Sequence, residues 1–390
     1  MQATVNVSKE ILEWVMACVR LDILPTQIAN YLSSWLSGEK TPTYNQIEKV
    51  SKATGIPLGY FFLQTPPVED VSLLNYRTVD SISLSNPSRN LMDTIHDMEQ
   101  VQDWMHQYQL SVGEGKLSFV GAMNEDSAIS SFVSMVRRTL GLNEDWFRLC
   151  KDAEDAFRKI RQAISEAGVV IMMNGIVGNN THRPLEISEF RAFAIVDEYA
   201  PLIFINSNDS INGRLFSLLH EFAHICLGMN SFFNDRHSDG NAVSKTEKLC
   251  NGVAAEILVP QQLFLNEWTN YVQNMDTEHT IDVLAKVFRC GSTVMARRAL
   301  DSGLIDKKLY QKIAKLAIDR YNESRKKKKE NPGGDFYRTA ASRIDQRFFK
   351  LLRGSVVEGK TLYSDAFRLT NTNRSTYAAL SEQIGGGRIG

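Results

Sequence analysis

The stretch Leu215-Phe216-Ser217-Leu218-Leu219-His220-Glu221-Phe222-Ala223-His224-Ile225-Cys226-Leu227 is apolar around nearly its whole circumference. A helix of that kind is buried rather than amphipathic. Its polar groups are few: Ser217, His220, Glu221 and His224. Burying three ionisable side chains is costly unless something satisfies them. His220 and His224 are four residues apart, which puts both imidazoles on one helix face, about one turn from each other, within reach of a single metal ion. Glu221 sits beside them, placed to hold and deprotonate a water at that ion. Core histidines satisfied by backbone carbonyls are the bland alternative. The position of the motif, in an apolar helix straight after two strand-like runs, disfavours it.

A catalytic zinc ion needs a third protein ligand and one open position. Downstream, Glu247-Lys248-Leu249-Cys250-Asn251-Gly252-Val253-Ala254-Ala255-Glu256-Ile257-Leu258-Val259-Pro260 offers two glutamates. At about 100° per residue, Glu247 and Asn251 fall roughly 40° apart, on one face with Ala254 and Leu258. Glu256 falls roughly opposite, so only one glutamate can face the metal. Glu247 is the predicted ligand, because Asn251 one turn later can orient a ligating side chain. Glu256 is read as a surface or structural carboxylate. Gly252, Ala254 and Ala255 let this helix approach the first one closely.

Working outward, Val169–Met173, Phe190–Val196 and Leu202–Ile205 are apolar runs of strand length. The latter two are separated by Asp197-Glu198-Tyr199-Ala200-Pro201, which predicts a hairpin. Upstream, residues 8–63 read as short helices, with Ile11, Leu12, Val15 and Met16 and then Ile47, Val50 and Ala53 at helical spacing. Pro66-Pro67 stops them. A further helix over 88–112 turns Leu91, Ile95, Met98, Val101, Trp104 and Met105 inward, and 126–167 reads as helical. Helices resume at about 211 and dominate to the end. The run Arg325-Lys326-Lys327-Lys328-Lys329 with Asn331-Pro332-Gly333-Gly334 reads as a solvated linker, and a small helical segment closes the chain.

The bulk numbers bound the function. At 390 residues the chain is long enough for two or three domains, and 43% hydrophobic with 23% charged residues is ordinary for a soluble globular protein. A net charge of -1 supplies no global field toward nucleic acid or acidic lipid. Five dispersed cysteines with no CxxC pair argue against a disulfide framework and a cysteine-ligated zinc. No apolar run approaches a membrane span, and the N-terminus lacks a basic start followed by an apolar stretch, which predicts a cytoplasmic protein without a membrane partner.

These motifs together resemble the ImmA/IrrE metallopeptidases. The resemblance rests on Arg191-Ala192-Phe193, Ile203–Asn206, Phe216–His224 and Glu247–Pro260. It extends upstream to Trp35–Gly38, Pro42-Thr43, Gln46, Ile56–Phe62, Pro66-Pro67 and Tyr76-Arg77-Thr78, about the first 300 residues. What it implies is an α+β, mostly helical protein with a zincin-like core, in which zinc is held by two histidines and a glutamate, the gluzincin set. It also implies limited proteolysis of a DNA-binding repressor, encoded nearby on a mobile element or stress locus. The strand ending at Asn206 is the candidate for pairing with an extended substrate. His182, Arg183 and His237 lie in polar stretches from which an oxyanion-stabilising group could be recruited, although surface histidines are the commoner explanation.

The N-terminal region looks like a Cro-type helix-turn-helix domain, with Pro25–Leu32 as its first helix. Trp35 follows Ala29 by only six residues, too few for a turn and a base-reading helix. The region is therefore read as degenerate, a scaffold or dimerisation unit. A second helix-turn-helix candidate joins Ile281–Phe288 to Ser292–Leu300 through Arg289-Cys290-Gly291, with Arg297 and Arg298 as DNA-binding candidates. A helical hairpin packed on the peptidase core is the preferred alternative. The expected domains are 1–66 (degenerate helix-turn-helix-like), 67–124 (helical linker), 125–275 (metallopeptidase), 276–324 (helical extension), 325–334 (linker) and 335–390 (C-terminal helices). The expected partner is a protein substrate or an operon-encoded repressor or toxin. An antitoxin-like binding protein with a structural metal is the alternative function, and an intact Glu221 favours the peptidase.

Overall fold

The computed structural model describes residues 4–19, 21, 24–67, 87–233, 244–273, 275–330 and 335–385. Tyr76-Arg77-Thr78, His237 and residues 331–334 lie outside them. The chain forms two compact units. One holds the described residues up to 67, 87–97 and 176–185, and the other holds those of 98–175 and 186–385.

In the first unit, helices α1 (Lys9–Cys18), α2 (Thr26–Leu36) and α3 (Tyr44–Thr54) and a short 3-10 turn (Leu58–Phe62) enclose Ile11, Leu32, Trp35, Ile47, Val50 and Phe61. Helix α3 begins with a reciprocal Thr43/Gln46 capping box and ends at Gly55 in the left-handed conformation (φ 76°). Helix α2 runs unbroken through Ala29 and Trp35, so this stretch holds no turn and no second helix. Helix α4 (Arg89–Ser111) contributes its first turns here and the remainder to the second unit.

The predicted helix over 126–167 is two helices, α5 (Ile129–Leu140) and α6 (Ala153–Glu166), with a 3-10 turn at Trp146–Leu149 between them. Gly141, left-handed at φ 61°, stops α5. The strands follow: β1 (Val170–Asn174), the hairpin β2 (Ile176–Val177) and β3 (Asn180–Pro184), then β4 (Ala192–Ile195) and β5 (Leu202–Asn206). After them come α7 (Ile211–Leu227), β6 (Ser231–Phe233) and α8 (Lys245–Leu258). The order of the main sheet is β1-β5-β4-β6, with β1 and β5 parallel and the other pairs antiparallel. Ile171, Ala192, Ala194, Ile203 and Ile205 face the core that contains α7, while the alternate residues Val170, Phe193 and Phe204 are also buried. Burial on both faces is why these strands read as continuous apolar runs.

The sheet order corrects the substrate-strand expectation. β5 is internal, with β1 on one side and β4 on the other, so Asn206 cannot offer an edge to a peptide. Its amide instead donates to Phe190 O at 3.1 Å, and its Oδ1 accepts Asn208 N–H.

Beyond α8 come α9 (Gln261–Val272), α10 (Thr277–Val287), α11 (Ser292–Asp301) and α12 (Lys307–Glu330). The α10–α11 pair is a hairpin whose Ile281, Leu284, Met295 and Ala299 enter the same core as α7. Arg298 turns inward, 3.0 Å from both Glu256 Oε2 and Gln261 Oε1, and Arg297 pairs with Asp301. Arg298 is therefore not a DNA-facing side chain. The basic run 325–329, expected as a linker, is the last part of α12. Lys and Arg are good helix formers and suit a helix C-terminus. Helices α13 (Phe336–Arg343), α14 (Gln346–Val357), α15 (Tyr363–Leu369) and α16 (Arg374–Gly385) complete the second unit. The boundaries expected at 124/125, 275/276 and 334/335 thus do not separate compact units.

Candidate metal centre

Helix α7 starts at Ser210, whose hydroxyl accepts Gly213 N–H, and stops at Gly228, left-handed at φ 71°. Between these caps it is buried from Ser217 to Leu227, with His220, Glu221 and His224 fully enclosed. Helix α8 is capped by Ser244, which accepts Glu247 N–H at 3.1 Å. Ser244 and Glu247 have the spacing of a capping box, in which the glutamate would fold back onto the cap. Here Glu247 reaches across instead: Oε2 lies 3.2 Å from His220 Nε2 and Oε1 lies 3.2 Å from His224 Nε2. The two Nε2 atoms are 3.1 Å apart. Ligand atoms of His220, His224 and Glu247 all fall within 4.8 Å of one another, a group that could hold a metal ion.

Asn251 Oδ1 lies 3.0 Å from His220 Nδ1. An amide oxygen only accepts, so the His220 proton sits on Nδ1 and Nε2 presents its lone pair to the centre. Phe233 lies against the same imidazole, with ring centroids 4.1 Å apart. The donor set fits a divalent cation: two imidazole nitrogens and a carboxylate from two helices converge within reach of one ion. Burial acts to raise the Glu247 carboxyl, but in the metal-free centre, where protons rather than a cation lie between the side chains, the hydrogen bonds and charges of His220 and His224 together outweigh it and hold the group well below the usual carboxylate range.

Glu221 stays outside this triangle. Its Oε2 accepts the hydroxyl of Ser231, and its Oε1 has no hydrogen-bond partner among the described residues. Burial pushes its pKa up to about 7, against the opposing pull of the His224 charge and the Ser231 hydrogen bond. Ser231 was not singled out from the sequence. It and Phe233 lie on one face of β6 by the two-residue strand period and meet Glu221 and His220. Phe232 points the other way, onto Phe190 and Phe193.

The remaining candidates lie elsewhere. Glu256 pairs with Arg298 and accepts Gln261 N–H, a structural carboxylate. Arg183 belongs to the first unit, where it binds Asp93 at 2.6 Å and Asn90 at 2.9 Å and lies against Gly55. His182 is exposed on β3.

One helix thus carries two histidines and a flanking glutamate, and the next helix delivers a second glutamate. Residues 165–300 match the family model of the IrrE N-terminal-like domain, Peptidase_M78. This region is thus similar to a metallopeptidase-type domain, of a family that is typically metal-dependent, and the matched span contains every residue of the centre described above. Residues 344–383, from α14 to most of α16, match a second model, Domain of unknown function (DUF8813). A search of curated proteins finds no match to the chain. No helix among the described residues is long and apolar enough to cross a membrane.

Proposed function

We propose that the chain is a zinc-dependent endopeptidase that cuts a repressor-type regulatory protein at a limited number of bonds, in the cytoplasm. The locus would be a mobile-element, stress-response or toxin–antitoxin one. The observation that carries this is the convergence of His220, His224 and Glu247 beside a buried carboxylate that is not part of the convergence. Zinc bound there supplies Lewis-acid polarisation of a water and a peptide carbonyl. Ser231 holds Oε2 of Glu221, so Oε1 is the oxygen left to accept the proton of the attacking water. Glu221 then returns that proton to the departing amine nitrogen. Asn251 keeps the His220 lone pair turned to the ion. The sheet edge beside Glu221 is β6, so an extended peptide backbone would pair there rather than on β5.

A binding protein with a structural metal, sequestering an operon-encoded toxin, is the alternative. The complete burial of His220, Glu221 and His224 favours it, since structural metal sites are closed. Glu221→Gln separates the two. It removes the proton acceptor without touching a ligand, and cleavage should fall by about 10²–10⁴-fold while zinc content stays at the wild-type level. In cells carrying the native locus the variant should lose the wild-type phenotype. A folded, zinc-loaded variant with the full phenotype would make the binding role the correct one.

A further inference from the structure

The side chains of the centre come from two helices, α7 and α8, so its geometry is set by how that pair is held. A segment preceding the matched residues 165–300 ties the two together. At the C-terminal end of α7, where helix carbonyls lack intrahelical partners, Gly121 N–H donates to Ile225 O at 3.2 Å and Met123 N–H to Cys226 O at 3.0 Å. The chain then crosses to the start of α8. There Glu125 accepts the hydroxyl of Thr246, and Asp126 pairs with Lys245. Helix α5 continues along α8, with Ile129 against Gly252 and Arg137 donating to Glu256 O at 3.4 Å. Trp146 Nε1 closes the run on Ile257 O at 3.0 Å.

The contact that bears on the centre is at the first turn of α8. Lys245, Thr246 and Glu247 are its first three residues, and the Glu247 carboxylate is directed at His220 and His224 rather than back at Ser244. Thr246 is buried, and its hydroxyl is fastened to Glu125 from outside the helix. Frayed first turns move their side chains, and a ligand at the third helical position moves with them.

We propose that Glu125 is a positioning residue for the metal centre, fixing the first turn of α8 through Thr246 so that Glu247 meets His220 and His224. This rests on the reading that those three residues hold zinc. The test is zinc affinity of the full chain, measured by competition with a chromophoric chelator, together with the visible spectrum of the cobalt-substituted protein. Glu125→Ala and Thr246→Val should each weaken zinc binding about tenfold, at the lower end of the range for residues that support a metal ligand, and shift the cobalt bands. Glu125→Gln keeps an acceptor oxygen and should recover most of the affinity. The double variant should be no weaker than either single one, because both remove the same bond. A merely structural role would lower the thermal midpoint of the metal-free protein while leaving zinc affinity and the cobalt spectrum unchanged. Wild-type affinity in Thr246→Val, or fully additive losses, overturns the proposal even if Glu125→Ala fails to fold. A wild-type chain that holds no zinc overturns the metal reading itself and this inference with it.

Discussion

Glu247 and Glu256 lie on one helix and do opposite work. Glu247 meets two imidazoles, and Glu256 neutralises the inward guanidinium of Arg298. Glu247→Gln is expected to lose zinc on mild dialysis. Glu256→Gln should keep it and cost about 1–2 kcal/mol of stability through the weakened Arg298 pair, measured by elemental analysis and urea unfolding. Retention of zinc in the first variant and loss in the second would reverse the assignment. Glu221 gives the metal-free protein a pH signature. Its pKa is raised by burial from 4.5 to about 7, so its contribution to stability is full below about pH 4.5 and is lost as pH rises through about 7. Glu247 is shifted the other way, and its contribution is lost only as pH falls below the ordinary carboxylate range. Between about pH 5 and pH 8, metal-free wild type should therefore lose on the order of 3 kcal/mol relative to Glu221→Gln, which cannot ionise. A pH-independent difference between the two would show that Glu221 is not buried as a carboxyl group. Residue chemistry was the most legible level of the sequence. The phase of Glu247, Asn251 and Glu256 follows from helix geometry alone, whereas Ser231 is invisible until a strand places it beside Glu221.

At the scale of elements, what sequence reading found and what it missed divides by length. The apolar runs of β1, β4, β5 and α7 are local signals, and each element forms within a residue or two of its expected place. The two-residue β2 and three-residue β6 are too short to show a period, and sheet order depends on pairings far apart in sequence. That is why Asn206 was expected at an edge and lies in the middle. The end of α7 offers a direct test of how tightly the centre is framed. Gly228 is left-handed, and a Cβ there would lie 3.2 Å from the Cα of Gly121. Gly228→Ala should therefore cost about 1–2 kcal/mol, from the left-handed backbone and from pushing Gly121 off the α7 carbonyls. The loss is read by thermal unfolding, and a variant as stable as wild type would mean that the segment around Gly121 does not hold α7.

For the whole molecule, the C-terminal helices belong to the second compact unit because they close its sheet. β1 is an edge strand, and an uncovered edge invites pairing with another chain. Asp345, buried at the start of α14, accepts both Phe348 N–H at 2.8 Å and Ile171 N–H at 3.3 Å on β1. Arg161 on α6 donates to Ile171 O and Ile344 O at 3.1 Å each and to Ser342 O at 2.7 Å. Burial lowers the pKa of Arg161, and the Asp345 charge opposes that shift. One carboxylate thus serves as helix cap, edge cap and counter-ion. The cap is local, but the edge contact and the counter-ion role join residues far apart in sequence, which is why this region was read as a separate appendage. Asp345→Ala removes all three and should cost about 2–4 kcal/mol, leaving an unpaired N–H on β1 and an uncompensated guanidinium. Asp345→Asn keeps an acceptor oxygen and the cap, loses only the charge, and should cost about half as much. Urea unfolding of the full chain gives both numbers, and light scattering shows whether the uncovered edge self-associates. Equal losses in the two variants would assign the effect to charge alone. Losses below about 0.5 kcal/mol in both would mean that β1 is held without Asp345.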